Sequence, residues 1–156
     1  MKFKDIKIGQ EFKWCNLTWV KLTKEMFILN NRDGIKGYYC IFDSYDNKYK
    51  DSLIRYYVNN KFLKINKIKT GELKPFSDGD YAKLLSLEEY KKYKDLIKPM
   101  ASWWLRSPYA DYGSGAWCVH FGGLVFGGSV DYAYGVRPAF KSTSEMSVEA
   151  IPKEVS

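Results

Sequence analysis

A chain of 156 residues with 46% apolar, 17% aromatic and 28% charged side chains has room for one ordinary core, and its composition is that of a globular rather than a disordered chain. Apolar runs fall short of the roughly 18 residues a membrane span needs, and residues 1–5 enter charged sequence without the apolar core of a signal peptide. Residues 1–98 carry a net charge of +8, followed by a neutral stretch at 99–140 and a tail of −1 at 141–156, for a formal charge of +7 in all; the expectation is one soluble, cytoplasmic domain over 1–156.

Short strands are predicted at residues 12–14, 19–22, 26–29 and 37–42, rich in aromatic and β-branched side chains and interrupted by an Asn-Asn-Arg-Asp-Gly turn at 30–34. Together they read as a small antiparallel meander. Asp51 or Ser52 caps a helix running to about Phe62, because Ile54, Tyr57, Val58 and Phe62 recur at helical spacing. Residues 81–85 read as a strand. A second helix over 87–98 has the stronger start: Ser86 and Glu89 form a capping box, Leu85 and Tyr90 occupy staple positions, and Pro99 follows the end.

Beyond residue 98 the composition changes. Seven of the twelve glycines and ten of the 27 aromatic residues lie within 99–140, where lysine is absent, so rings and tight turns replace long cations. Gly122-Gly123 and Gly127-Gly128 bracket Leu124-Val125-Phe126 and predict short strands joined by tight turns. Cys15, Cys40 and Cys118 are odd in number and far apart, and read as free thiols in a reducing compartment.

Ser102-Trp103-Trp104-Leu105-Arg106-Ser107-Pro108 and, further along, Gly135-Val136-Arg137-Pro138-Ala139-Phe140 resemble a family of uncharacterised domains from low-GC Gram-positive bacteria and their phages. Residues 51–62 and 84–90 are similar to that family's helix and strand-to-helix segments, so nearly the whole chain is covered. The opening residues 3–12 resemble the start of many small phage proteins. The resemblance implies an α+β, C-type-lectin-like fold, related to formylglycine-generating enzymes and phage tropism-determining proteins: an N-terminal meander, two helices and a short-stranded C-terminal sheet closed by the 135–140 strand. It also implies a phage- or prophage-encoded chain acting in the host bacterial cell.

Within that frame a strand with Trp103 and Leu105 on one face and Trp104 and Arg106 on the other places large aromatic area in the core. Arg106 and Arg137 read as structural forks to carboxylate or carbonyl oxygens, with Asp111 and Asp131 as candidate partners. Pro138 is expected at a strand end or edge, since it cannot donate to a ladder.

No catalytic constellation accompanies these residues. The E-P-N, Q-P-D and W-N-D segments of calcium-dependent lectins are missing, the C-terminal part has Cys118 alone rather than a reactive pair, and P-loop, H-E-x-x-H and dinucleotide fingerprints are lacking. His120 follows Cys118 by two residues, so a thiol–imidazole pair on one strand face is conceivable, without an orienting acid. A non-enzyme without metal or cofactor is expected.

The remaining candidates are surfaces. Tyr109, Asp111, Tyr112, Asp131, Tyr132 and Tyr134 lie in loops rich in Tyr, Ser, Gly and Asp, which offer contact area at low entropy cost; the same tyrosines could instead cover the core. Lys61, Lys64, Lys67 and Lys69 either solvate a face or contact nucleic acid. The leading expectation is a non-catalytic module that binds a host protein through the Tyr-rich loops, with an immunity component such as a CRISPR nuclease among the targets. A nucleic-acid or nucleoprotein binder, and a surface-receptor or carbohydrate binder, are the alternatives, and oligomeric state stays open.

Overall fold

A computed structural model describes residues 1–31, 33, 38–110 and 113–152. The first three strands form as expected: β1 (Glu11–Trp14), β2 (Leu17–Lys21) and β3 (Met26–Leu29) pair antiparallel in sequence order. β1 alternates, with Phe12 and Trp14 buried and Lys13 exposed, the period of a strand with one wet face. β2 and β3 are buried on both faces. Trp19, Phe27 and Leu29 enter one core cluster, and Val20, Met26 and Ile28 enter a second. The β1–β2 turn is Cys15-Asn16, at φ +52° and +58°, the left-handed pair that matches strand twist in a two-residue hairpin.

The fourth predicted strand leaves this meander. β4 (Tyr39–Ile41) pairs with a later strand in a separate sheet; positions 32 and 34–37 of the expected turn and strand lie outside the described residues. The first sheet continues instead through the C-terminal part of the chain. The two-residue strands β5 (Leu73–Lys74) and β6 (Ala82–Lys83) both pair with a strand at 139–142 that itself pairs with β3. The strand expected at 81–85 thus shortens: the carbonyls of Leu84 and Leu85 accept from the Arg106 side chain and backbone N–H rather than from a ladder.

Ser52 caps α1 (Leu53–Asn59), its hydroxyl accepting from the Arg55 backbone N–H at 3.1 Å. The helix expected to run unbroken to Phe62 divides at Asn60 (φ −132°, ψ −77°), and α2 (Lys61–Ile65) follows. Asparagine side chains compete here with the helix. Asn60 donates to the Tyr56 carbonyl, and Asn59 exchanges hydrogen bonds with the backbone of Ala82. Ile54, Val58 and Phe62 nevertheless share the buried face.

α3 (Leu87–Tyr93) carries the reciprocal capping box, Glu89 N–H to the Ser86 hydroxyl at 3.1 Å and Ser86 N–H to the Glu89 carboxylate at 2.8 Å. It ends earlier than the predicted residue 98, tightening into a 3-10 turn at Lys94–Leu96. That frees the Lys98 carbonyl, which accepts from Arg137 at 2.8 Å.

The second sheet holds β7 (Trp103–Pro108), β8 (Gly115–Val119), β9 (Val125–Ser129) and β10 (Ala133–Gly135) in the order β4-β10-β7-β8-β9, with β10 parallel to β7. Alternation along β7 sends Trp104 into the first core cluster, and Trp103 and Leu105 into the second. Residues 135–140 are not one closing strand: Gly135 ends β10, Val136-Arg137-Pro138 cross buried between the sheets, and β11 (Ala139–Ser142) then joins β3 in the first sheet. Pro138 thereby sits just ahead of a strand, where its missing N–H costs no ladder bond.

The acidic stretch from 141 is not a free tail. Met146 and Val148 are buried, Phe3 N–H donates to the Met146 carbonyl at 2.8 Å, and β12 (Glu149–Ala150) pairs with β1. Buried apolar side chains and backbone pairing together hold the segment against the sheet.

Candidate functional site

Two adjacent glycines on β9 organise the predicted tyrosines. A β-carbon on Gly127 would lie 2.6 Å from the Tyr109 ring, and one on Gly128 would lie 2.8 Å from Cys118 Sγ and 2.9 Å from Tyr134. Side chains alternate across a strand, so Tyr109 covers one face of β9 and Tyr134 the other. Tyr109 also packs edge-on to Trp117 at 4.8 Å, and Tyr134 to Trp104 at 4.9 Å and Phe126 at 5.6 Å. Both are half-buried. Burial pushes the Tyr134 hydroxyl above its ordinary pKa.

Tyr132 differs. It is 62% exposed and touches Tyr134 edge-on at 6.3 Å. From there a line of rings runs Tyr132, Tyr134, Phe126, His120, Phe121, with His120 at 6.1 Å from Phe126 and 3.9 Å from Phe121. Phe121 is 64% exposed, and Leu124 in the same turn is also exposed. The strip is thus open at both ends, and in its middle Tyr134 lies against Gly128. Asp131 beside it accepts from the Ser129 hydroxyl at 2.6 Å. Asp111 and Tyr112 lie outside the described residues.

Tyr132, Tyr134 and Tyr109 are therefore not equivalent, and Phe121, Phe126 and His120 join a strip that loop composition alone did not suggest. The signal for them was the hairpin register. A turn at Gly122-Gly123 places Cys118 opposite Phe126, which brings Phe126 onto the face that Tyr134 covers.

Cys118 and His120 occupy different surroundings. Cys118 is buried in the first core cluster, and burial raises its thiol pKa well above the ordinary range. His120 stands on the strip, and its Nδ1 accepts from the Gly122 N–H at 3.3 Å. All three cysteines are free. Among the described residues no three His, Cys, Asp or Glu side chains gather as metal ligands.

The arginines bond elsewhere than Asp131. Arg106 Nη1 donates to the Leu84 carbonyl at 2.8 Å and to the Glu89 carboxylate, joining β7 to the start of α3. Arg137 is fully buried; Nε donates to the Leu29 carbonyl at 2.9 Å, Nη1 to the Lys98 carbonyl, and the guanidinium lies 5.0 Å from the Trp103 ring centre. Burial lowers its pKa to about 9, the direction expected when a cation is desolvated without a carboxylate. Asp131 is exposed and committed to Ser129, so proximity in composition was a poor guide to partners set by the crossover between sheets.

Lys61 and Lys64 on α2, with Lys67 and Lys69 just after it, are all exposed, and none is ion-paired among the described residues. Lys74 is instead bound to Glu25 at 2.7 Å. No described helix is long and apolar enough to cross a membrane.

The strip, both arginines and the strands from β5 to β11 fall in one continuous stretch of sequence. Residues 66–142 match the family model of DUF6273, a domain of unknown function. The matched segment takes in α3 and β5–β11 and leaves β1–β4, α1, α2 and β12 outside. Its last strand, β11, pairs with β3, so the sheet it completes begins outside the matched segment. No curated protein and no solved structure matches the chain.

Proposed function

We propose that the chain is a non-catalytic protein-binding module that docks its partner on the aromatic strip, with Tyr132 and Phe121 as the anchors. One observation supports it above the others: two rings more than 60% exposed stand at the ends of a strip whose middle is packed on Gly128 and Trp104. A rigid aromatic base loses little conformational freedom on association, and desolvated aromatic anchors dominate interface energies at about 2 kcal/mol or more each. Tyr109 serves this reading as a support for β9 rather than as a contact. The C-type-lectin-like fold belongs to the same proposal and rests on the resemblance of the two Arg-containing motifs. That resemblance also makes a host protein met in the bacterial cytoplasm the partner class, with a defence nuclease of the CRISPR type as one instance.

A second reading keeps a specific observation of its own. Lys61, Lys64, Lys67 and Lys69, exposed and without an ion pair among the described residues, suit a nucleic acid or nucleoprotein. The two readings separate in one experiment. A partner captured from host lysate is identified and purified, and its affinity is measured for the parent chain, Tyr132→Ala, Phe121→Ala and a fourfold Lys→Ala variant at several salt concentrations. The expected result is a loss of roughly tenfold or more for each aromatic variant and a shallow salt dependence. Loss confined to the lysine variant, with affinity falling steeply as salt rises, would overturn it in favour of the second.

A further inference from the structure

Residues 51–62 and 102–108 lie apart in sequence, and the fold brings them to one groove. Arg55 of α1 and Arg106 of β7 line a hollow of about 590 Å³ together with Lys48, Lys50, Lys83 and Tyr49. A smaller hollow of about 330 Å³ shares Lys50 and Arg55 and extends it along α1. The space suits a small-molecule body.

The two guanidinium groups are held in place. Arg55 donates to Asp80 through Nε at 2.7 Å and Nη2 at 3.0 Å, and to the Lys50 carbonyl through Nη1 at 2.5 Å. Arg106 is held by Glu89 and the Leu84 carbonyl, and Lys83 by Asp78 at 3.1 Å. Lys48 and Lys50 stand exposed at the rim, without an ion pair among the described residues. Five cations against the four carboxylates Asp51, Asp78, Asp80 and Glu89 leave the groove positive. At its side the Tyr49 hydroxyl is buried beside the Leu84 backbone, without a hydrogen bond of ordinary geometry among the described residues. Burial raises its pKa, so at neutral pH it is a donor in want of an acceptor.

We propose that this groove binds a small ligand through an oxyanion head, a phosphate or a carboxylate, seated between Lys48, Lys50 and Arg106 and accepting from the Tyr49 hydroxyl. Fixed guanidinium forks provide directed donors, and mobile lysines at the rim provide attraction that adapts to the head. The site is separate from the aromatic strip and does not depend on its role.

The test is an amide and arginine side-chain NMR titration of the full chain with inorganic phosphate and, in a second arm, with acetate. Saturable shifts at residues 48–51, Arg55 and Arg106 are expected, and the arm with the tighter curve identifies the head group. A Lys48→Gln/Lys50→Gln variant should melt like the parent and bind about fivefold or more weakly, while Tyr49→Phe should weaken binding without loss of stability. Absence of saturable shifts in both arms, shifts centred on Lys61–Lys69 instead, or curves unchanged in both variants would overturn the proposal.

Discussion

The Tyr109 ring lies directly on Gly127: a β-carbon at that position would stand 2.6 Å from two of its ring atoms and 2.7 Å from a third. The contact couples the segment after β7 to the edge strand β9, and it makes glycine a packing requirement at an exposed position. Gly127→Ala should lower stability by about 1–3 kcal/mol, the usual cost of overpacking, read as a lower urea midpoint at unchanged slope. In a Tyr109→Ala background the same substitution should be nearly neutral, and the double-mutant cycle measures the coupling.

Tyr132 and Tyr134 should separate cleanly. Tyr134→Ala removes a ring packed on Trp104 and Phe126 and should cost about 2–4 kcal/mol, within the range for losing a large core side chain. Tyr132→Ala should change stability by less than about 0.5 kcal/mol, as exposed substitutions do. Thermal melts of the two variants side by side check this before any binding measurement is interpreted.

Acid stability should depend on Glu89. Burial alone would raise its carboxyl pKa, but the Ser86 N–H and the Arg106 guanidinium more than offset this and hold it below the ordinary 4.5. A carboxylate depressed in the folded state stabilises above its unfolded pKa, and that contribution is lost as pH falls through the folded value. Glu89→Gln should therefore cost about 1–3 kcal/mol near neutrality, and its deficit against the parent should shrink as pH falls below about 4.5. Urea unfolding across a pH series gives both curves.

The three thiols should label in a fixed order. Cys15 and Cys40 are partly exposed, whereas Cys118 is fully buried with its pKa raised well above the ordinary range by burial, and the thiolate is the reactive form. Alkylation of the native chain followed by mass spectrometry should find Cys118 unmodified long after the other two, with its rate rising in denaturant. Early modification of Cys118 would show an opening at the base of the aromatic strip.

Local features of the fold were legible in the sequence, and pairings were not. The Ser86–Glu89 box, the Ser52 cap, the meander strands and the alternation of Trp103 and Trp104 all rest on neighbours a few residues apart. By contrast, β4 joins β10 and β11 joins β3 across roughly a hundred residues of chain, a choice that propensity does not encode. Residues 135–140 illustrate the difficulty: an apolar run ending in a strand reads as one strand, yet its middle is a buried crossing held by Arg137. At the candidate site, tyrosine-rich loops drew attention to the right part of the chain. They could not distinguish Tyr132, which faces outward, from Tyr109 and Tyr134, which rest on glycines. The cationic groove was invisible because Arg55 and Arg106 read as separate motifs until α1 and β7 met.

The pairing of β11 with β3 and of β12 with β1 has a consequence for how the chain is made. Synthesis proceeds from the N-terminus at about 5–20 residues per second, so β1–β3 emerge with both outer edges unpaired and wait several seconds for residues 139–150 to complete the ladder. During that interval two apolar strand edges are open to other chains, the circumstance in which nascent proteins aggregate or engage chaperones. Fusions or tags that slow the release of the last strands should thus reduce soluble yield more than equal additions at the first residue.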